Sequence, residues 1–313
     1  MTKTAIVFPG QGSQSVGMLQ DVAEADESIS ATFAEASAVL GYDLWALVQD
    51  GPEDKLNQTE FTQPALLSAS VALWRLAEAR GAKQPDVVAG HSLGEYSALV
   101  VAGVIGFQDA VSLVQKRGQF MQTAVPLGQG GMAAVLGLDD DQVKSICAAA
   151  SSGDDVVQAA NFNAPGQVVI AGTNAALEAA IAACKEAGAK RAMPLSVSAP
   201  FHSELMKPAA DKMAEELARV EFKAPSVAVI QNVGAEYESD PGAIRQNLVS
   251  QMYSAVLWTA TVQRMAGDGV TRIAECGPGK VLAGLNKRID KSLETWSICD
   301  LASLKSTVSE MWS

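Results

Sequence analysis

Histidine is nearly missing from this chain: His91 and His202 are the two in 313 residues. Chemistry that needs a titrating imidazole near neutral pH therefore has two candidates. Cysteine is sparse too. Cys147, Cys184, Cys276 and Cys299 stand far apart without C-x-x-C spacing, a pattern that argues against a disulfide framework or a thiolate zinc site and predicts reduced thiols in a cytoplasmic protein without structural metal. Positive charge is in deficit, with 23 Lys+Arg against 35 Asp+Glu and a net charge of −12. With no basic stripe to offset phosphate repulsion, nucleic acid is not expected as a partner. Long apolar runs are lacking as well: Tyr96 to Gln108 is uncharged but too short to span a bilayer, and it contains Gly103 and Gly106. Ahead of the short apolar run Ala5 to Phe8 stands one lysine, which is not the layout of a signal peptide. What remains, 48% hydrophobic and 19% charged, suits a soluble globular protein with one large core or two modest ones and no membrane association.

Against these absences stands one strong signal, Val87-Val88-Ala89-Gly90-His91-Ser92-Leu93-Gly94-Glu95. A short apolar run enters a Gly-x-Ser-x-Gly pentapeptide and continues as a helix, the pattern of a nucleophile elbow. Gly90 and Gly94 carry no Cβ, so strand and helix can approach closely while Ser92 is held in a strained turn with its hydroxyl exposed. The same turn aims the Leu93 amide, at the start of the helix, towards the place where an oxyanion forms. The competing reading is a glycine-rich turn whose serine caps the helix.

Upstream, Thr4 to Pro9 reads as a first strand feeding the loop Gly10-Gln11-Gly12-Ser13-Gln14. The loop fails as a phosphate cradle. Gly12-x4-Gly17 is followed by Met18-Leu19, and Gly10-x-Gly12 lacks the third glycine of a dinucleotide fingerprint. Two readings stay open, a plain turn or a loop at the carboxyl edge of a parallel sheet that offers the Gln11 amide to a ligand. Asp21 to Leu47 is helical in pattern, Pro64 opens a long apolar helix through Arg80, and Phe107 to Gln122 is a helix carrying Arg117. Arg117 is either a surface cation or a guanidinium fork for a carboxylate.

Gly128 to Gly131 reads as a hinge. Beyond it the pattern is strand Met132 to Leu138, helix Asp139 to Ala150, strands Val156 to Ala160 and Gln167 to Ala171, helix Ala175 to Ala187 and strand Lys190 to Val197, a β-α-β-β-α-β unit. An α/β pattern then resumes, with a helix Glu204 to Ala218, strands Ser226 to Gln231 and Val270 to Ala274, and helices at Ile244 to Gln251 and Thr259 to Gly267. The expected fold is α/β: a large α/β-hydrolase-like domain with a parallel sheet (1–127 and 199–313), interrupted by a small ferredoxin-like subdomain (128–198), with the pocket between them.

Ser92 needs a general base. His91 is its neighbour on a strand-like segment and faces the other way, which leaves His202. The order Ser92 then His202, with a long stretch still to follow, does not suit a standard α/β-hydrolase, and no Asp near His202 offers itself as an orienting acid. The third group can then be neutral.

Several motifs now fall in one order along the chain: Phe8-Pro9-Gly10-Gln11-Gly12-Ser13-Gln14, Gln63-Pro64-Ala65, Gly90 to Tyr96, Arg117-Gly118 with Met121-Gln122, Asn161-Phe162-Asn163, His202 with Leu205-Met206, Gln251 before Val256 and Trp258, and Gly277-Pro278-Gly279-Lys280. On these the chain resembles, nearly end to end, the malonyl-CoA:acyl carrier protein transacylases of bacterial type II fatty acid synthesis. The resemblance implies that Ser92 is the catalytic nucleophile, that His202 is general base and then acid, and that the amides of Gln11 and Leu93 form the oxyanion hole. It places Arg117, Gln251 and Asn163 on the substrate side: Arg117 holding the malonyl carboxylate, the Gln251 carbonyl orienting the histidine, and Asn163 lining the cleft. It implies malonyl-CoA as donor, the phosphopantetheine thiol of acyl carrier protein as acceptor, and no further cofactor or metal. Phe201 departs from the serine frequent in bacterial relatives and resembles the malonyl-selecting modules of larger synthases. A stand-alone cytoplasmic monomer is expected. Since carrier proteins are typically acidic, an acidic enzyme needs a local basic patch to receive one, and Lys190-Arg191 and Lys280 are the candidates. Two other functions share some of these residues. A serine thioesterase or esterase acting on acyl-CoA shares all but a reason for Arg117, and a non-catalytic carrier-binding subunit has no use for an intact Ser92/His202 pair.

Overall fold

The computed structural model describes residues 3–126, 128–197 and 199–312. Leu127 and Ser198, where the sequence places the boundaries of the inserted unit, lie outside the described residues. Ten strands occur among those described: β1 Lys3–Phe8, β2 Val87–Gly90, β3 Gly130–Leu136, β4 Val157–Ala164, β5 Gln167–Thr173, β6 Arg191–Pro194, β7 Ala228–Ile230, β8 Tyr237–Glu238, β9 Val270–Cys276 and β10 Glu294–Ile298. They form a six-stranded sheet in the order β10-β9-β1-β2-β7-β8 and a four-stranded one in the order β4-β5-β3-β6. The first is parallel except for β8, and the second is antiparallel.

Alternation along β1 shows why the large sheet is central. Ile6 and Phe8 enter the core on one face, and Ala5 and Val7 enter the core on the other. Both faces are therefore covered, as a parallel sheet with apolar strands requires. The small sheet divides its residues the same way. Val168 and Ile170 of β5 pack with the helices Asp140–Ala150 and Asn174–Glu186, whereas Val169 and Ala171 join the core of the large body. The small sheet is also tied through the backbone to the segment between the helices Pro241–Gln251 and Trp258–Gly267, because Phe162 N donates to the Val256 carbonyl and Val256 N donates to that of Ala160, each at 2.9 Å.

Several boundaries differ from the sequence reading for identifiable reasons. The pattern from Asp21 to Leu47 is three helices, Gln20–Ala25, Ser28–Leu40 and Leu44–Asp50. Asp26 leaves helical φ/ψ and its carboxylate takes the Ser28 amide and hydroxyl, and Gly41 closes the second helix at φ 75°. Pro64 lies inside the helix Thr59–Ala79, which starts before it. So near a helix start the proline forfeits only the bond to the Glu60 carbonyl. Gly130 and Gly131 belong to β3, and a Cβ on Gly130 would stand 2.9 Å from Pro200 Cγ, so this segment is packed where a hinge was expected. The strand expected from Lys190 to Val197 ends at Pro194. Leu195 to Val197 then run along the cleft between the two sheets.

One crossing places Arg117. At Gly118, in the helix Phe107–Thr123, an added Cβ would lie 2.6 Å from Glu60 Cα and 2.7 Å from the Thr59 carbonyl. Gly118→Ala is expected to destabilise the protein by about 1–3 kcal/mol through overpacking. Gly284→Ala, in the helix Val281–Ile289 with nothing within 4 Å of the new methyl, is expected to stabilise it by up to about 1 kcal/mol. Urea unfolding of both variants checks the pair, and shifts of the same sign would contradict the tight crossing.

Candidate active site

The parallel pairing of β1 with β2 sets Phe8 beside Gly90, so the loops leaving these strands emerge together at the carboxyl edge of the sheet, where ligands of such sheets bind. The elbow forms there because two glycines permit it. A Cβ on Gly90 would overlap the Gly94 backbone, and one on Gly94 would overlap the Phe8 carbonyl. Ser92 turns through the left-handed region at φ 53°, and His202 does so at φ 58°. A side chain rarely adopts this conformation, and where it does the surroundings must hold it.

The two residues meet. Ser92 Oγ lies 2.7 Å from His202 Nε2, and His202 Nδ1 lies 2.9 Å from the backbone carbonyl of Gln251. A carbonyl only accepts, so Nδ1 carries the ring hydrogen and Nε2 is left to accept the serine proton. Burial, joined by the positive charge of Arg117, pulls the pKa of His202 down to about 3. The imidazole is therefore neutral at neutral pH, with Nε2 free of a proton.

Arg117 is fully buried. Its guanidinium donates to Gln63 Oε1 at 2.9 Å, to Gln251 Oε1 at 2.8 Å and to Ser92 Oγ at 3.2 Å. All three acceptors are neutral. The ring of Tyr96 lies 5.7 Å away, and burial lowers the pKa of the guanidinium. Gln251 is thus used three times: its carbonyl by His202, its side-chain oxygen by Arg117, and its Nε2 as donor to the Ser92 carbonyl at 3.0 Å.

A cavity of about 220 Å³ opens on Ser92 and His202, lined also by Gln11, His91, Asn161, Asn163, Met121 and Phe201. Gln11 lines the cavity with Ser92, Leu93 follows Ser92 in the chain, and among the described residues neither backbone amide is taken up by a hydrogen bond. Asn163 lines the cavity, but its Oδ1 is engaged at 2.8 Å by His91 Nε2. His91 lines the same cavity with its Nε2 taken by Asn163 and its ring packed at 5.7 Å from the Trp258 ring. A second, wider hollow adjoins the first along Gln11, Leu195, Val197 and Phe201. Lys190 and Arg191 are exposed at the start of β6, while Lys280 stands 3.9 Å from Asp300.

The sequence reading assigned no role to four residues that hold this arrangement. Gln63 ties Arg117 to Gln11, donating to Gln11 Oε1 at 3.3 Å. Glu95, Gln231 and Asn232 form a buried set behind Ser92. The usable signal for Asn232 was its place, directly after the strand expected to run to Gln231, at the carboxyl edge of the sheet.

Comparison with known proteins follows the same lines. The pattern of the acyl transferase domain matches residues 5–305. The chain belongs to the acyl transferase family. Within it, this acyl transferase is 57% identical over 310 residues to the malonyl CoA-acyl carrier protein transacylase of Salmonella typhimurium, covering 99% of this chain and all of that one. It is 60% identical over 293 residues to the enzyme of that name from Escherichia coli K12, covering 94% of each chain. A crystal structure of an acyl carrier protein S-malonyltransferase from Vibrio cholerae superposes with a TM-score of 0.96 at 59% identity, over 98% of this chain and 100% of that one. A malonyl-transacylase solved in complex with a type II polyketide synthase acyl carrier protein superposes with a TM-score of 0.97 at 54% identity, over 98% and 99% of the two chains. Among the described residues no helix is long and apolar enough to cross a membrane, and no cluster of His, Cys, Asp and Glu is placed to hold a metal ion.

The depressed pKa of His202 has a consequence for stability. The unfolded chain protonates this imidazole near 6.5 and the folded one only near 3. Between these values the unfolded state binds more protons, so stability falls as pH drops through that window. Urea midpoints measured from pH 7 down to pH 4 are expected to fall more steeply for the wild type than for His202→Asn. Equal slopes would show that His202 is not buried neutral.

Proposed function

We infer that the chain transfers a malonyl group from malonyl-CoA to the phosphopantetheine thiol of acyl carrier protein, through a malonyl ester on Ser92. The observation that carries this is Arg117, a buried guanidinium with only neutral partners, 3.2 Å from Ser92 Oγ. A buried charge without a directly bonded countercharge is costly, and the buried Glu95 carboxyl acts on Arg117 only through space. An acyl group ending in a carboxylate supplies one next to the attacked carbonyl, whereas acetyl leaves the charge unpaired and is rejected. The names and near-complete coverage of the relatives support the same reading.

In this reading Ser92 Oγ attacks the thioester carbonyl as His202 Nε2 takes its proton, and the imidazolium is steadied by the Gln251 carbonyl. The amides of Gln11 and Leu93 stabilise the oxyanion. The Ser92 amide is already bound to Asn232 Oδ1, which supports assigning the hole to the two neighbouring amides. The C–S bond breaks, and CoA leaves as a thiol with the proton from His202. The carrier thiol then gives its proton to His202 and attacks the ester, and collapse of the second tetrahedral intermediate returns the proton to Ser92. Loss of one oxyanion donor in such a site costs about 3 kcal/mol, or about 100-fold in rate. The cleft must also keep water from the ester while the acceptor exchanges.

Three finer assignments belong to this proposal. The β4-β5-β3-β6 order supports reading residues 128–198 as a ferredoxin-like unit inserted into a hydrolase-like α/β body formed by the residues on either side. The exposed Lys190-Arg191 pair lies at the Leu136 end of β6, one strand length from the cleft that Leu195 and Val197 line, and remains a candidate contact for the rim of an acidic carrier. The reaction needs no cofactor beyond its substrates, and because every group used comes from one chain, a cytoplasmic monomer suffices.

Intact mass after brief incubation with malonyl-CoA tests the reading. Wild type is expected to gain a malonyl adduct that acyl carrier protein removes, and Ser92→Ala to gain none. Arg117→Ala is expected to lose malonylation by about 100-fold or more, since truncating one partner of a buried charge pair costs about 2–5 kcal/mol, and to lose its preference over acetyl-CoA. An adduct that decays in water faster than it passes to the carrier would point to a thioesterase.

A further inference from the structure

The strand β7 ends at Ile230 beside β2, and the next two residues turn inward behind the nucleophile. Asn232 is fully buried there. Its Oδ1 accepts the Ser92 amide at 2.7 Å, and its Nδ2 donates to the Gly90 carbonyl at 2.6 Å. One amide side chain thus grips the elbow on both sides of its tightest point. Asn232 is itself fixed, because its backbone N–H donates to Glu95 Oε2 at 2.7 Å while Gln231 Nε2 donates to Glu95 Oε1 at 2.9 Å. Glu95 is fully buried in the first turn of the helix Gly94–Val101; burial raises the pKa of its carboxyl, against which the Asn232 amide and the Gln231 side chain hold it by hydrogen bonds. Gln231 is held in turn by Asn247 Nδ2 at 2.7 Å.

We propose that Asn232, braced by Glu95, is a positioning residue that holds Ser92 in its left-handed turn and so sets the approach of Oγ to His202 and to the acyl carbonyl. The argument is one of completeness. A serine at φ 53° persists only where its surroundings over-determine it. The two backbone groups that bracket the turn, the Gly90 carbonyl and the Ser92 amide, have this one side chain as their partner. Without it both lose their partner among the described residues, and the turn keeps Gln251 Nε2 on the Ser92 carbonyl as its remaining side-chain anchor. The helix start shares that loss, since Glu95 and the Leu93 amide belong to the same turn of chain. Donor affinity is expected to change little, because among the described residues Ser92 is the one member of the cavity wall bonded to Asn232, and Arg117, which would hold the donor's carboxylate, keeps its bonds to Gln63 and Gln251. The role therefore falls on the rate of the covalent step and spares donor affinity. It rests on Ser92 being the nucleophile of the reaction proposed above.

Single-turnover acylation of the full chain by malonyl-CoA, followed by intact mass across donor concentrations, separates rate from affinity. Asn232→Ala is expected to lower the maximal acylation rate about 30-fold with the half-saturating donor concentration unchanged within about twofold, since small displacements of a reacting group are felt on that scale. Asn232→Asp, which keeps an oxygen for the Ser92 amide and loses the donor to Gly90, is expected to fall between wild type and Asn232→Ala. Glu95→Gln, which keeps an acceptor for the Asn232 amide, is expected to lose less than Asn232→Ala. A loss that sits in donor affinity, an unchanged maximal rate, or Asn232→Asp no faster than Asn232→Ala would each overturn the proposal. Should Asn232→Ala not fold, the comparison of Asn232→Asp with wild type carries the same test of rate against affinity. If wild type itself is not acylated by malonyl-CoA, the transacylase reading is what fails. The rate at which a fluorophosphonate labels Ser92 then reads the nucleophile's placement without the acyl donor.

Discussion

A guanidinium sealed from water has to be held by something, and Arg117 is held by the dipoles of Gln63, Gln251 and the Ser92 hydroxyl. Much of the site follows from that arrangement. The cation lies close enough to His202 to depress its pKa together with burial, so the base rests neutral. Gln251 accepts from Arg117 with its side chain and from His202 with its backbone. Charge recognition and base orientation therefore share one residue, and a neutral carbonyl does the work that a carboxylate does in the Ser-His-Asp arrangement. An acidic third member would add a second carboxylate to the buried Glu95 that already acts on the guanidinium, and weaken its demand for an anionic acyl group.

The geometry around the nucleophile depends on backbones that pass unusually close. Gly90 and Gly94 admit the crossing of β2, the elbow and the β1 carbonyl edge, and Gly118 admits the helix that brings Arg117 from the far side. The catalytic pair then occupies left-handed backbone at both Ser92 and His202. Local conformational cost is concentrated in the two residues proposed to carry the reaction, and the buried polar groups behind them hold it in place.

Much of this was legible in the sequence because the signals were local. The elbow glycines surround Ser92 in five residues, histidine is so scarce that His202 had little competition, and the β-α-β-β-α-β rhythm has the strand and helix periods of its elements. What was not legible was long-range. No periodicity shows that the Asn232 amide reaches Gly90 and Ser92, or that Gln63 lies between Arg117 and Gln11, because such bonds join residues far apart in the chain. Arg117 was ambiguous for the same reason: its burial depends on Gly118 meeting Thr59 and Glu60, a contact between two helices. The errors in element boundaries were smaller and came from competing local rules. Asp26 and Gly41 interrupt a helical pattern that apolar spacing alone carries through, and the start of the helix at Thr59 relieves Pro64 of the role of first residue.

The pair of hydrogen bonds between β4 and Val256 bears on how such an enzyme can be remodelled. Residues 128–198 look like a cassette that could be exchanged between relatives to alter acyl preference. The bonds make the strand bearing Asn161 and Asn163 continuous with the segment just after Gln251, which orients the base. A graft that carries the cassette alone sets one lineage's cavity wall against another's base-orienting segment. The unit of exchange is therefore discontinuous in sequence, the insertion together with the stretch from Gln251 to Trp258.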